Sequence, residues 1–261
     1  MAVSPLQDVW QGLRQREFWT TFAWNDVKAR YRRSRIGQFW ITISVGLFVL
    51  GVGLVYSGIF GIPMAEYMPR VAVAYVVWTF ISTVIIGGCR TFIDASAIMQ
   101  QRVFPFSVHA YRLVARELLI LMHNALVVVA VWLAFGIGLG PEALWVIPGL
   151  FLLAYVSFWL CMIFGIVSAR YRDVPPIVQS LVSVLFFVTP VLWTGDRLGD
   201  NSELILHLNP FAYLIAIIRD PLLGRPFDPA TWLVVLMIAA VVTALGLLAM
   251  RMTSKKLAYW L

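Results

Sequence analysis

The chain has 261 residues, of which 61% are hydrophobic and only 13% are charged. Soluble domains average about 25% charged residues, so this composition excludes an ordinary soluble protein and predicts a single all-α membrane domain. The net charge of +7 does not indicate nucleic-acid binding, because the cations lie in short segments beside apolar runs. Cys89 and Cys161 fall in apolar runs 72 positions apart, which favours two buried thiols over a disulfide or a metal site.

Residues 1–36 are predicted to form a cytoplasmic amphipathic segment that lies in the membrane interface. Ser4, Pro5 and Gln7 fit a helix start with a capping box. Two apolar stripes follow on different faces of the helix. This offset predicts a kink near residues 16–17, with the apolar side against lipid. A helix packed on a partner protein is the alternative. The stripes consist of Leu6, Val9, Trp10 and Leu13, and then Phe18, Trp19 and Phe22.

A basic cluster follows, with five cations between Lys28 and Arg35, directly before an apolar run that begins at Phe39. Because a cation costs several kcal/mol at the centre of a bilayer, about 2.5–3.5 on insertion scales, the cluster marks a membrane surface. It either orients the chain and binds anionic lipid, or receives a lipid-linked diphosphate. The candidate residues for that diphosphate are Arg30, Tyr31, Arg32, Arg33 and Arg35.

Residues 37–261 contain six apolar runs near the length of about 20 residues that crosses a bilayer. With six crossings, 16 of the 20 Lys and Arg residues lie on one side, which predicts a membrane protein with both termini in the cytoplasm. The six predicted spans are Phe39–Phe60, Val71–Gly88, Leu118–Leu139, Leu144–Ser168, Ile177–Trp193 and Trp232–Met250.

Two connecting segments carry structure of their own. On the outer side, 194–229 holds two short apolar pieces, Leu204–Leu208 and Phe211–Ile218, separated by Asn209-Pro210. This pattern predicts re-entrant helices beside a pathway, with a folded outer cap as the alternative. On the inner side, the loop 89–112 is predicted to hold a short helix from Asp94 to Gln101, which Phe104-Pro105 terminates.

The chain contains no phosphate-binding loop, no zinc-binding helix motif and no nucleophile elbow. The nearest approach to a reaction centre is Glu117, His123 and Asn124, which favour hydrogen bonds between helices over catalysis. We therefore expect a protein that is not an enzyme, with no catalytic residue, metal or cofactor of its own.

Aromatic residues make up 14% of the chain, and several lie inside the predicted spans. The apolar face of a sugar can slide on such rings, so as a group they favour a glycan route, although each one alone is more easily a packed or lipid-facing residue. The candidates are Tyr56, Tyr75, Trp78, Tyr155, Trp159, Phe186 and Phe187.

Several motifs, in order, resemble the permease subunits of bacterial polysaccharide ABC exporters, the Wzm and KpsM group. The first, Arg30 to Trp40, is closer to the O-antigen permeases than to the capsule permeases. The others are Phe104-Pro105, Ala169–Val174, Thr189-Pro190-Val191, Asn209-Pro210 and Arg219.

The resemblance implies a homodimer with two copies of an ABC ATPase that holds the ATP and Mg²⁺. It implies transport of a polyprenyl-diphosphate-linked glycan, either O-antigen or capsule, to the periplasm. A teichoic-acid or small-molecule permease, and a membrane enzyme acting on a polyprenyl-linked sugar, remain alternatives. The implied ATPase contacts are Asp94, Ala95, Ile98, Met99, Gln100, Arg170, Arg172 and Asp173, and the implied outer gate includes Trp193, Asn209, Pro210 and Arg219.

Overall fold

The structure, a computed structural model, describes residues 4–31, 37, 39–101, 104–193, 206–253 and 257–260. Within these ranges every regular element is helical, as predicted. The α-helices are α1 (Pro5–Arg14), α2 (Arg16–Tyr31), α3 (Phe39–Phe60), α4 (Met64–Gln101), α5 (Ser107–Phe135), α6 (Val146–Arg170), α7 (Val174–Val188), α8 (Pro210–Leu222), α9 (Pro229–Thr253) and α10 (Leu257–Trp260). A 3-10 helix, Pro141–Trp145, precedes α6.

The long helices run up and down in one bundle. Helices α1 and α2 and the basic cluster lie where α3 begins, which we call the basic end, and the opposite end is the distal end. Among the described residues, five helices are long and apolar enough to cross a membrane: α3, α4, α5, α6 with its 3-10 turn, and α9. The predicted fifth span corresponds to α7, which has only 15 residues.

Helix α4 is the centre of the bundle, and it packs most extensively on α6 and α5. It extends without a break over 38 residues, from Met64 to Gln101. The expectation of a span ending at Gly88 and a separate short helix from Asp94 is therefore wrong, because residues 94–101 are the last turns of α4. Gly88 does not end the helix; it lets α4 and α6 pack closely, because a Cβ at this position would lie 3.0 Å from Cys161 Cα.

Other helix ends also differ from the predicted ones, for local reasons. Helix α5 ends at Phe135 rather than Leu139, because Gly136 adopts a left-handed conformation with a φ of 64°. Helix α7 ends at Val188 rather than Trp193, because Thr189 precedes Pro190 and is extended. Both predicted buried thiols are confirmed, since Cys89 and Cys161 are free and buried.

Helices α3 and α7 leave one side of the bundle uncovered. Both pack on α4, but Val45, Val49 and Gly53 are the buried residues of α3, and Val178 and Val182 are those of α7. The rest of both helices is exposed or half-buried. This α3–α7 face is thus open to whatever surrounds the single chain.

The capping box at the N-terminus is confirmed, and the break between α1 and α2 lies at Gln15, one residue before the expected kink. Helix α1 presents its polar side to the bundle, where Asp8 and Gly12 are buried. Leu6, Trp10 and Leu13 are exposed instead. The apolar stripe therefore points away from the protein.

Candidate functional site

At the distal end, four motif residues and Tyr67 of α4, which are far apart in sequence, form one group of side-chain hydrogen bonds that we call the distal cluster. Its members are Tyr67, Thr189, Pro190, Asn209 and Arg219. Asn209 is the N-cap of α8, and its side-chain oxygen accepts a hydrogen bond from the Phe211 amide at 3.0 Å. Its side-chain NH₂ donates to the Thr189 hydroxyl at 2.9 Å. The cap of α8 and the end of α7 are thereby held together.

Arg219 strengthens the same connection from the other end of α8. Its side chain is only 7% exposed, and its Nε donates to Asp220 Oδ1 at 2.8 Å. Its Nη1 donates to the Pro190 carbonyl at 3.4 Å. A buried guanidinium needs such partners, because leaving it unpaired costs several kcal/mol.

Helix α4 completes the cluster through Tyr67, whose hydroxyl donates to the Leu192 carbonyl at 2.6 Å. The segment 189–192 is thus bound by α4 on one side and by α8 on the other. Trp193, the remaining predicted gate residue, is half-buried and donates from Nε1 to the Phe187 carbonyl at 2.8 Å. Residues 189–193 are therefore fixed in a single arrangement.

The structure describes only part of the outer segment 194–229. Its second apolar piece lies in α8, which begins at Pro210 and packs on α4, α6, α9 and the 3-10 helix. Of the first apolar piece, Leu204–Leu208, residues 206–208 are helical, while 204 and 205 lie outside the described residues, as do 194–203. Pro210 acts as the first residue of α8, a position where proline fits, rather than as a break inside a hairpin.

The seven candidate aromatic residues fall into three separate groups rather than one row. Tyr75, Trp78 and Phe186 meet beside the α3–α7 face, where ring centroids of Phe186 lie 6.1 Å from both Tyr75 and Trp78. The Phe187 ring is 5.2 Å from Phe186 and is exposed. Tyr56 contacts Phe60 on α3, whereas Tyr155 and Trp159 meet on α6, far along the chain from the others.

Burial further divides these aromatic residues. Trp78 and Trp159 are 4% and 3% exposed, which identifies them as core side chains of the single chain. Phe187 and Tyr155 are exposed, and the Tyr155 hydroxyl bonds the Thr243 hydroxyl at 2.8 Å. Only the group around Phe186 and Phe187 borders the open α3–α7 face.

At the basic end, α1 caps the start of α5 across 99 residues of sequence. The Asp8 carboxylate accepts hydrogen bonds from the Phe106 and Ser107 amides, both at 3.0 Å. The Ser107 hydroxyl donates to the Asp8 carbonyl at 2.8 Å. Gly12 permits this approach, because a Cβ there would collide with Ser107 Oγ.

Helix α2 is joined to the same helix by an ion pair. Arg112 donates from Nε and Nη2 to the two Asp26 oxygens at 2.7 and 2.6 Å. The guanidinium also lies over the Phe22 ring at 5.1 Å. The N-terminal segment is therefore fastened to α5 while the apolar stripe of α1 stays outside.

The described part of the basic cluster is small. The backbones of Arg30 and Tyr31 form the last turn of α2, but their side chains and all of 32–36 lie outside the described residues. The role predicted for Arg30, Tyr31, Arg32, Arg33 and Arg35 stays a prediction.

Comparison with known proteins identifies this architecture. The ABC-2 type transporter family matches residues 17–223, which include nearly all of α2 to α8, the distal cluster and the Asp26–Arg112 pair, but not α1. The chain belongs to this ABC-2 family. An O-antigen export system permease protein, RfbA, from Klebsiella pneumoniae is 26% identical over 75% of this chain and 76% of its own length. Its namesake from Myxococcus xanthus is 28% identical over 73% of this chain and 74% of its own length.

The family expectation from the sequence motifs is therefore confirmed, and the remaining predicted contacts can be placed in an ABC-2 permease. Asp94 is exposed and lies 3.5 Å from Arg90, whereas Ala95 is buried and Met99 is half-buried. Ile98 and Gln100 belong to α4, but their side chains lie outside the described residues. This set thus contains both exposed and packed side chains.

The second predicted ATPase contact of the permease is occupied partly by its own C-terminus. The Arg170 guanidinium lies 5.1 Å from the Trp260 ring, and Arg172 donates to the Trp260 carbonyl at 3.3 Å. Asp173 is exposed. Helix α10 is therefore held against the end of α6.

Glu117, His123 and Asn124, the candidates for a reaction centre in the sequence, do not form one group in the structure. Glu117 is 2% exposed and pairs with Arg116 at 2.7 Å. His123 Nδ1 lies 2.8 Å from the Leu119 carbonyl, and the Thr42 hydroxyl donates to the His123 carbonyl at 3.1 Å. Asn124 is buried. Among the described residues, no group of His, Cys, Asp and Glu could hold a metal ion.

Sequence reasoning missed the residues that fasten the two ends. Asp8, Asp26, Arg112 and Tyr67 carry no motif, and their partners are 86 to 125 positions away. The one available signal in the sequence was Asp8, on the face of α1 opposite the apolar stripe. An acid on the side of a helix that packs against the protein can cap the start of another helix, as Asp8 does for α5.

Proposed function

We propose that this ABC-2 permease is the membrane subunit of an exporter that moves a polyprenyl-diphosphate-linked polysaccharide from the cytoplasm to the periplasm. The observation that carries the proposal is the family match over 17–223 together with relatives named as O-antigen export permeases. Two copies of the chain act with two copies of an ABC ATPase, which binds the ATP and Mg²⁺ and drives transport.

The α3–α7 face supports a route between two copies. Gln179, Ser180 and Ser183 are exposed on the otherwise apolar α7. The serines bond to the carbonyls of Pro176 and Gln179 in their own helix, but the Gln179 amide faces outward. A polar amide is costly against lipid, so this face meets water or the second copy, with the rings of Phe186 and Phe187 beside it.

Six crossings, with both termini in the cytoplasm, require α7 to span the membrane. Its 15 residues extend about 22 Å, which is short of a hydrocarbon core of about 30 Å. The segment 189–193 follows α7 directly and is bound by α4 and α8. Irregular backbone is tolerated at membrane depth where protein covers it, and α8 provides that cover as a re-entrant outer gate.

Contact with the ATPase is assigned to the last turns of α4 and the loop after them. The chain from Asp94 onward extends past the apolar part of α4 and is exposed at Asp94 and Ala97. The exposed stripe of α1 lies in the inner membrane interface, where Leu6, Trp10 and Leu13 are covered by lipid.

The test is transport by the chain reconstituted in proteoliposomes with its ATPase and a polyprenyl-diphosphate glycan. We expect ATP-dependent delivery of the glycan that is lost without either subunit. Ala97→Glu should retain ATPase assembly but uncouple hydrolysis from transport, whereas Leu139→Glu, equally exposed at the distal end, should not uncouple it. Turnover of the glycan by the chain alone would refute the transport role and favour an enzyme.

Orientation is tested separately by cysteine labelling, which the two buried native thiols permit. A cysteine at exposed Ala65 should react only from the periplasmic side, and one at exposed Asp173 only from the cytoplasm. Labelling of both from the same side would show that the number of crossings between them is even.

A further inference from the structure

A cavity of about 710 Å³ lies at the basic end, between α2, α4 and α5. Helix α4 contributes Thr83, Gly87 and Arg90, which recur at helical spacing on one face. The walls from α5 and α2 include His109, Arg112, Arg116, Asp26 and Ala29. The lining also includes Asp94 and Ala95, which belong to the predicted ATPase contact, whereas the residues named above belong to no predicted contact.

Two arginines are fixed at this cavity by carboxylates. Arg112 is held by both oxygens of Asp26, and Arg116 is held by Glu117 at 2.7 Å. Their side chains are 26% and 25% exposed, so most of each is buried while part still faces the cavity. Each guanidinium keeps N–H donors that its carboxylate does not use.

Gly87 lies beside Arg116 at the cavity wall, and its missing side chain leaves space for Leu113. A Cβ on Gly87 would lie 3.5 Å from Arg116 Nη2 and 3.0 Å from Leu113 Cδ1. The guanidinium therefore lies directly against the α4 backbone at the cavity wall. A third guanidinium, that of Arg90, has a side-chain exposure of 66% and lies one turn further along α4.

His109 supplies the observation that points to a ligand. It is 3% exposed, lines the cavity, and its Nε2 has no hydrogen-bond partner among the described residues. Buried polar atoms are almost always paired, and an unpaired one calls for an explanation such as a bound group or water. In a cavity that also holds guanidinium donors, the group that satisfies all of them is an oxyanion.

The three acids in the wall do not oppose this ligand. Asp26, Asp94 and Glu117 each lie within 3.5 Å of one arginine, so these six side chains sum to no net charge. The carboxylates orient the guanidiniums, and Lys28, which directly precedes the cavity residue Ala29 in α2, adds a positive charge without an acidic partner among the described residues of the cavity wall.

The cavity lies at the membrane surface rather than in the cytoplasm. On α5 it ends at Glu117, directly before an apolar run from Leu118 to Phe135. On α4 its arginine, Arg90, directly follows the apolar run that ends at Gly88 and Cys89. A group that enters between α2 and α4 at this level can remain attached to a chain in the bilayer.

We propose that this cavity is a binding site for a phosphate or diphosphate group at the inner membrane surface, contacted by Arg90, Arg112, Arg116 and His109. The group belongs to a polyprenyl diphosphate or to a membrane phospholipid. The first source rests on the proposed transport function and would place the cavity on the path of the substrate.

The site is tested on the purified full chain in maltoside micelles with farnesyl diphosphate, a soluble polyprenyl diphosphate, by calorimetry. Arg90→Gln should raise Kd about tenfold, since it removes an exposed cation without unpairing a buried acid. The double variant R116Q/E117Q should do the same, and it leaves no buried charge alone. Ala29→Trp, at an exposed cavity position, should block binding by filling the space.

Arg251→Gln is the matched control, an exposed arginine at the same end of the bundle but outside the cavity, and it should leave Kd within about twofold. Inorganic diphosphate and dihexanoyl phosphatidylglycerol are the competitors. Strong preference for farnesyl diphosphate assigns a lipid-linked diphosphate, and equal competition by the phosphatidylglycerol assigns a general phospholipid site.

Binding that is unchanged in Arg90→Gln, in the double variant and in Ala29→Trp would overturn the proposal, as would the absence of binding by any of the three probes. The proposed transport function is judged by a different measurement, glycan delivery by the unaltered chain. A chain that delivers glycan yet binds no probe in this cavity would refute the cavity alone.

Discussion

The two ends of the bundle are held together by different kinds of interaction. At the distal end the polar contacts are buried, with Thr189, Asn209 and Arg219 exposed by 0%, 5% and 6%. At the basic end the ion pair Asp26–Arg112 is about one quarter exposed. The distal contacts are shielded from water and salt, whereas the Asp26–Arg112 pair remains open to both, although the Asp8 cap beside it is buried.

This difference bears on how an ABC-2 permease changes shape. Buried hydrogen bonds that share partners break together, so the distal cluster favours two discrete states over gradual opening. Exposed ion pairs can exchange with water or with a partner's charges at little cost. The Asp26–Arg112 pair is therefore the connection that salt or a nearby charge can weaken, and the distal cluster is the one that resists such a change.

The sharpest test of the comparison is Arg219→Leu. The change should lower the free energy of unfolding by about 3 kcal/mol, because Asp220 and the Pro190 carbonyl lose a buried partner. Unfolding in mixed SDS micelles measures the loss. Arg225→Leu is the control, since Arg225 also lies near Asp220, at 3.6 Å, but is 51% exposed, and it should change stability little. An equal loss of stability in the two variants would contradict the prediction that the buried contact matters more than the exposed one.

Asn209→Ala should come next, with a loss of about 2 kcal/mol. It removes both the cap of α8 and the bond to Thr189. Asn209→Asp separates the two contributions, because the carboxylate still accepts from the Phe211 amide but cannot donate to Thr189 as the NH₂ does. Thermal unfolding should therefore rank wild type, Asp and Ala in that order, and an Asp variant as unstable as Ala would assign the whole effect to Thr189.

At the basic end, Asp8→Ala should cost about 1 kcal/mol by uncapping α5. Its more specific effect is local, namely faster hydrogen exchange of the first turn of α5 and release of α1. Glu17→Ala removes an exposed acid from the same segment and should leave that exchange unchanged. Unaltered exchange in the Asp8 variant would mean that α1 does not hold α5.

The Asp26–Arg112 pair should give a coupling energy of about 1 kcal/mol in a double-mutant cycle with D26N and R112Q. High salt should reduce this coupling, because both side chains are partly exposed. The same cycle between Asn209 and Thr189 should be insensitive to salt. A salt-insensitive coupling at Asp26–Arg112 would contradict the distinction between the two ends.

The smallest expected effect concerns Asp228, an exposed cap before α9. Hydrogen bonds from the Thr231 side chain and from the amides of Ala230 and Thr231 lower its pKa below the ordinary value. A lowered folded pKa means that its contribution is present at neutral pH and is lost as the pH falls through that pKa. Hydrogen exchange at the start of α9, corrected for intrinsic rates, should show this loss, and Asp228→Asn should abolish the pH dependence.

Local patterns were enough to predict the helical class, the capping box at Ser4 and most of the apolar runs, since each depends on residues a few positions apart. They could not show that α4 continues through Asp94, because the glycines at 87 and 88 look like a break until Cys161 and Leu113 are seen against them. They also could not bring Thr189, Asn209 and Arg219 together. That meeting depends on how α7 and α8 fold back on α4, which no single segment encodes.

The apolar stripe of α1 shows a second limit of local reasoning. Its spacing predicted an amphipathic helix correctly, but spacing cannot say whether the stripe or the polar side meets the protein. The answer lies at Asp8, whose carboxylate finds two free amides at the start of α5. The candidate aromatic residues fall into separate groups in the single chain for a related reason, because position within a span does not fix the direction of a side chain.

The uninterrupted length of α4 has a mechanical consequence. A rod of 38 residues measures about 57 Å, so a tilt of about 5° around its midpoint displaces each tip by about 2.5 Å, close to the length of a hydrogen bond. One tip carries Asp94, and Tyr67, near the other tip, donates its hydroxyl to Leu192. A tilt that does not bend α4 at Pro69, which lies between Tyr67 and Asp94, would thus be enough to break the hydrogen bond between Tyr67 and Leu192.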